Sequence, residues 1–235
     1  MYDRTGQIRC RFSLAVCSKL GTIRTVKVVG VAALLCVLSA ATAQARVDVS
    51  LSRLALTTKQ VGAGYTQQIP ASGRGTTGDR TMTICRLDYP SEALRLDRLQ
   101  VNYSLSGVGN SLSNEVVSYR PGGAKQAVRE LTTALASCPK GGRVDPVQPV
   151  FRRWRIRERL TIAKLLPGYV AYVVVDSARV GSMTEVHTHV DVVQTKGDVL
   201  SGIYVYVDDG TTLADAIRVA TSTAQQSALN LAATA

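Results

Sequence analysis

The chain has 235 residues, of which 46 % are hydrophobic and 19 % charged, with 28 Lys and Arg against 17 Asp and Glu. That balance fits a globular chain and excludes a generally disordered, collagen-like or coiled-coil protein. The formal net charge is +11, but the first 45 residues hold six Lys/Arg and one Asp, so the remainder is only moderately basic.

The N-terminus reads as an export leader. Lys19, Arg24 and Lys27 supply positive charge, Val28 to Leu38 form an uncharged apolar run, and Ala41-Thr42-Ala43 and Ala43-Gln44-Ala45 fit the small-residue cleavage pattern. The apolar segment is shorter than the roughly 20 residues a membrane span needs. A signal peptide over 1–45 with a long n-region is therefore expected, with an uncleaved anchor as the alternative. Cys36 lacks the small residues that precede a lipid-modified cysteine. Export leaves Cys85 and Cys138 in the mature chain, and two cysteines in an oxidising compartment most simply form one disulfide.

The mature chain begins with a one- to two-turn helix, because Thr57 and Gln60 have capping-box spacing and Gly62 and Gly64 end the turn. A strand follows near Tyr65 to Ile69. Arg98 to Gly107 and Ser113 to Arg120 alternate as the two arms of a hairpin about a turn at Gly107 to Asn110. From Ala124 to Cys138 the apolar positions recur with helical period, and Pro139, Gly141 and Gly142 stop the element. Strands are then expected over Val150 to Ile162, Gly168 to Val180, Met183 to Thr195 and Val199 to Val207, separated by short breakers such as Gly181-Ser182 that favour antiparallel neighbours. A last helix starts near Thr212, with Asp215 at capping-box spacing and Leu213, Ala216, Ile217, Ala220, Ala224, Ala228 and Leu231 on its apolar face. Strands grouped in runs between helices argue an α+β fold. The expectation is one domain over 46–235: a single twisted, mainly antiparallel sheet, two long helices packed on one of its faces, and one disulfide.

Four features in this order resemble the extracellular sensor domain of PknH-like actinobacterial Ser/Thr kinases. They are the opening Leu56-Thr57-Thr58-Lys59-Gln60-Val61-Gly62-Ala63-Gly64-Tyr65, Cys85 followed by the Val101-x-Tyr103 strand, Glu115-Val116-Val117-Ser118-Tyr119 leading into a helix that ends Cys138-Pro139, and the Asp191 to Leu200 hairpin. The resemblance implies an extracytoplasmic α+β domain with a ligand cleft and no catalytic residues. This chain carries one cysteine pair where the kinase sensor has two, and no kinase domain, so a stand-alone binding or accessory role in the cell envelope is what the resemblance implies.

The strongest local signal is Arg152-Arg153-Trp154-Arg155-Ile156-Arg157-Glu158-Arg159-Leu160. Strand alternation places Arg153, Arg155, Arg157 and Arg159 on one face, with Trp154, Ile156 and Leu160 toward the core. Guanidinium groups in such a row suit carboxylates or phosphates, because each offers a planar bidentate fork. These four are the candidate ligand-binding residues, for an anionic envelope ligand or an acidic protein partner; the alternative is a solvated face that protects a sheet edge. Nucleic acid is not expected, since aromatics do not interleave with the basic face. His187 and His189 share a strand face with Glu185, which permits a metal site, yet such alternation is common on half-exposed strands and no metal or cofactor is assigned. Tyr204 and Tyr206 share a face and are expected to pack beneath a helix, with sugar stacking as the alternative. Asp208-Asp209 reads as a turn and cap. There is no G-x-S-x-G elbow and no H-E-x-x-H, so the chain is read as a non-enzyme. The alternatives are an exported hydrolase with a non-obvious active site, or a structural module that pairs through a sheet edge.

Overall fold

The computed structural model describes residues 50–233, apart from 78–79, 87–88, 106–109, 140–142, 145–150, 181–182 and 208–209. The leader, the centre of the 107–110 turn, the 181–182 breaker and Asp208-Asp209 lie outside the described residues. Two short helices, α1 (Leu51–Leu54) and α2 (Thr58–Val61), lead into β1 (Tyr65–Gln68). The capping box at α2 is formed: Gln60 N donates to Thr57 Oγ1 at 3.3 Å and Thr57 N donates to Gln60 Oε1 at 2.9 Å. Single 3-10 turns at Ile84–Arg86 and Pro90–Leu94 precede β2 (Arg95–Leu105) and β3 (Asn110–Tyr119). Helix α3 (Gly123–Ser137) is followed by a two-residue strand β4 (Arg143–Val144), then β5 (Phe151–Arg159), β6 (Val170–Val180), β7 (Met183–Lys196), β8 (Val199–Val207) and helix α4 (Leu213–Ala232). Thr212 caps α4 by accepting from Asp215 N at 3.1 Å.

These strands form one antiparallel sheet in the order β1-β2-β3-β8-β7-β6-β5-β4. It is two meanders joined along β3 and β8. The chain leaves β3 through α3, enters the far edge at β4, and winds back until β8 meets β3. Cys85 and Cys138 form the disulfide, with a Cα–Cα separation of 5.6 Å, tying the end of α3 to the turn at Ile84–Arg86.

The two longer helices do not share a face, which corrects the one-sided arrangement expected from the sequence. Helix α4 buries Ala216, Ala220, Ala224 and Leu231 against Val101, Val116, Val173, Val190, Val192 and Ile203. Helix α3 buries Ala124, Ala127, Leu131 and Ala134 against Val117, Tyr119, Tyr172, Val174, Val193 and Leu200. Strand neighbours such as Val116 and Val117, Val173 and Val174, or Val192 and Val193 therefore face opposite layers. The physical reason is visible in β6, where Val170 to Val175 runs apolar without alternation; a strand covered on both sides has no polar face to show.

On the α4 face a buried polar chain seats the helix. Asn114 accepts from Leu56 N at 2.9 Å and donates to Ser201 Oγ at 3.1 Å, while Ser227 Oγ donates to Ser201 Oγ at 2.7 Å. The buried members of both cores lie between Leu51 and Leu231, inside the compact unit Asp48–Ala235, so a chain beginning at Arg46 contains all of that unit.

Candidate functional site

Strand β5 occupies the position next to the sheet edge. Only Arg143 and Val144 of β4 lie outside it, opposite Trp154 and Arg153, so from Arg155 onward its outer side has no strand neighbour among the described residues. Its inner register is regular from Phe151 to Ile156: Arg153 opposes Ser177, Arg155 opposes Val175 and Ile156 opposes Val174. Then it shifts. Glu158 opposes Val173 and Arg159 opposes Tyr172, leaving Arg157 as an extra residue, a β-bulge. Arg153 and Arg155 hold positions on the α4 face, Arg159 falls on the α3 face, and Arg157 sits at the kink.

The four arginines therefore do not form the single row that plain alternation predicts. Apolar residues pin register, and the run Arg157-Glu158-Arg159 contains none. The bulge also explains why Ile156 packs against the core under α3 while Leu160 packs against the core under α4. Arg155, Arg157, Glu158 and Arg159 are all exposed, and the side chain of Arg153 lies outside the description. Among the described residues the one acid paired with these arginines is Glu158, 3.9 Å from Arg157 Nε with both groups about half exposed, a pair of little strength. Three guanidinium groups thus fan around the strand edge, with one weakly engaged carboxylate among them.

A second polar region lies on the α3 face, in residues that no sequence pattern groups. Arg98 and Glu115 are 4 % and 3 % exposed and form a salt bridge through Arg98 Nε and Glu115 Oε1. The remaining guanidinium nitrogens donate to Ser72 O at 2.7 Å and Gln100 Oε1 at 2.6 Å. Glu115 also accepts from Thr81 Oγ1 at 3.0 Å and from the Tyr204 hydroxyl at 3.2 Å. Burial first, and then the charges of Glu115 and Asp191, hold the Tyr204 hydroxyl well above the ordinary phenol range. Gly202 makes this contact possible: a Cβ there would lie 2.5 Å from the Tyr204 hydroxyl oxygen. Beside it, Glu92 accepts from Thr81 N and Met82 N, both at 3.1 Å, and pairs with Arg95 Nε at 3.2 Å. Burial still raises its carboxyl above the usual value.

The histidines separate. Buried His189 meets Asp191 Oδ1 through Nδ1 at 2.6 Å, with the Tyr206 ring 5.5 Å away, whereas exposed His187 lies 3.7 Å from Glu185. Each pairs with its own carboxylate, and among the described residues no group of three or more His, Cys, Asp or Glu could hold a metal ion. Tyr204 and Tyr206 belong to this polar layer rather than to the core beneath α3. A shallow hollow of about 440 Å³ lies elsewhere, lined by Thr58, Lys59, Gly62, Ala63, Gly64 and Tyr65. Chemically, the Arg98–Glu115 network is closed on itself, while the outer strand offers cationic donors to solvent.

No family model matches the chain, and no curated protein matches it. Among solved structures it is similar to the extracellular domain of PknH from Mycobacterium tuberculosis, with a TM-score of 0.47 and 12 % identity, over 75 % of this chain and 93 % of that one. No helix among the described residues is long and apolar enough to cross a membrane.

Proposed function

We propose that the chain is an exported, non-enzymatic, sensor-like binding module of the cell envelope that takes an anionic ligand on the outer edge of β5. The observation that carries this reading is the contrast within the arginines. Arg98 has acceptors for all three guanidinium nitrogens, whereas among the described residues exposed Arg155 and Arg159 have no ion-pair partner and Arg157 has only the 3.9 Å contact with Glu158. Guanidinium groups left in water beside an open strand edge suit phosphate or carboxylate oxygens, which they bind through paired N–H donors. The bulge turns this set from a flat row into an arc, which fits an extended polyanion better than a single small anion. Export is supported by the leader pattern of residues 19–45 and by a disulfide that suits an oxidising compartment.

The test is thermal unfolding of residues 46–235 with soluble inorganic polyphosphate, at low and at moderate salt. A saturable rise in melting temperature that fades with salt and disappears in Arg155→Glu/Arg159→Glu supports the site. An equal rise in parent and variant places the ligand elsewhere.

A further inference from the structure

On the α3 face the central strands are apolar where the helix lies, with Val117, Val193 and Leu200 packed beneath it. Along the same strands, past the helix, the positions on that face turn polar: Gln100 and Asn102 in β2, Ser113 in β3, Tyr204 and Tyr206 in β8. Neither tyrosine packs in either core. The register sets Asn102, Ser113 and Tyr204 in one straight row across β2, β3 and β8, and exposed Gln68 of β1 extends it opposite Asn102. Gln100, Asn102, Tyr204 and Tyr206 are all partly exposed.

Two sets of contacts hold this row in place. Tyr204 lies down along its own strand: its hydroxyl oxygen, Cζ and Cε2 stand 2.5, 2.8 and 2.9 Å from the point a Gly202 Cβ would occupy, and the hydroxyl donates to Glu115 Oε2 at 3.2 Å. The sheet covers the lower side of the ring, so its exposure is on the upper side. In the second set, Arg98 Nη2 donates to Gln100 Oε1 at 2.6 Å, which turns the Gln100 amide nitrogen toward Asn102 Oδ1 at 3.3 Å and Ser113 Oγ at 3.1 Å. With its oxygen used as the acceptor, Asn102 presents its amide nitrogen as a donor, and that nitrogen has no protein acceptor among the described residues. The charges around the ring are matched, Arg98 with Glu115 and His189 with Asp191, so nothing here calls for an ion. A locked aromatic platform with a fixed amide donor and no unmatched charge suits the apolar ring faces and hydroxyl rims of neutral sugars. Asn102 and Tyr204 stand two strands apart, about 10 Å at about 4.8 Å per spacing, a span for two or more linked sugar rings. We infer that the Tyr204 ring and the Asn102 amide form a binding site for a neutral oligosaccharide. The site is separate from β5 and does not rest on the reading of that strand.

The test is calorimetric titration of residues 46–235 with three neutral hexasaccharides, maltohexaose, cellohexaose and mannohexaose, at low and at moderate salt. The expected result is saturable binding of at least one of them, with the same Kd at both salt concentrations, because no charge is met. Tyr204→Ala should weaken that binding by roughly tenfold or more, and Tyr204→Phe, which keeps the ring, should stay within about threefold of the parent. Asn102→Ala should weaken it by roughly fivefold. Its side chain is partly exposed and outside both cores, so this variant guards against a folding defect in Tyr204→Ala. Arg155→Glu/Arg159→Glu should leave hexasaccharide binding unchanged. Absence of binding by all three hexasaccharides, or full affinity in Asn102→Ala, overturns the inference. Hexasaccharide binding that weakens with salt and is lost in Arg155→Glu/Arg159→Glu also overturns it, by placing the sugar on β5.

Discussion

Arg98 in β2 and the arginines of β5 carry the same side chain in opposite circumstances. Arg98 is buried, its charge met by Glu115 and its other nitrogens by Ser72 O and Gln100. Arg155, Arg157 and Arg159 are exposed around a bulge, with Glu158 as their near acid. A buried ion pair with each guanidinium nitrogen engaged holds strand to strand and is closed to a ligand. Cations kept in water at a sheet edge add little to stability and remain available. On the proposed reading, stability and recognition are divided between two sets of one residue type, and substitutions should separate them.

The largest effect is expected at the inner set. Glu115→Ala leaves Arg98 buried without its counter-charge and should lower stability by about 3–5 kcal/mol in urea unfolding, whereas Arg155→Ala should stay within about 0.5 kcal/mol. A loss below about 1 kcal/mol for Glu115→Ala would mean that the network is not closed in solution. Next comes the covalent tie: Cys85→Ser/Cys138→Ser should cost about 2–4 kcal/mol without changing polyphosphate affinity measured on the folded protein. Gly202→Ala drives a methyl group into the Tyr204 hydroxyl and should cost roughly 1–3 kcal/mol. Adding Tyr204→Phe to it should recover part of that loss, because the atom in closest conflict is gone.

The smallest effect is a pH dependence. Burial raises the Glu92 carboxyl above its ordinary 4.5 in the folded state, so the native protein binds that proton more readily than the unfolded chain. The group's contribution therefore improves as pH falls from neutral through its folded titration toward 4.5, and worsens as pH rises. Unfolding free energies of the parent measured from pH 7 to pH 5 should gain on those of Glu92→Gln; the reverse trend would contradict the burial argument.

Element boundaries were largely legible in the sequence. Thr57 with Gln60 and Thr212 with Asp215 marked the starts of α2 and α4, and the strand run after α3 was readable from its breakers. The layer of each helix was not, since an apolar stripe shows that a helix buries one side but not which face of a sheet receives it. The unbroken apolar run in β6 was the available sign that both faces are covered. The inner polar network was missed because Gln100 and Asn102 alternate with Leu99, Val101 and Tyr103 like a solvent-facing strand. Their cover comes from a distant segment: Ser72 O accepts from Arg98, and Thr81 reaches Glu115. The β5 bulge was unreadable for a related reason, as a stretch of charged residues loses nothing by slipping one position.

The most direct measurement of the division between the two sets is polyphosphate affinity against salt concentration for three proteins. These are residues 46–235, the triple variant Arg155→Gln/Arg157→Gln/Arg159→Gln, and the control Lys125→Gln/Arg129→Gln, whose charges are exposed on α3. A site on β5 predicts that the triple variant alone loses affinity and flattens the salt dependence, with unfolding free energy unchanged in all three. Equal losses in the triple variant and the control would show attraction to net charge without a site, and would contradict the assignment of recognition to β5.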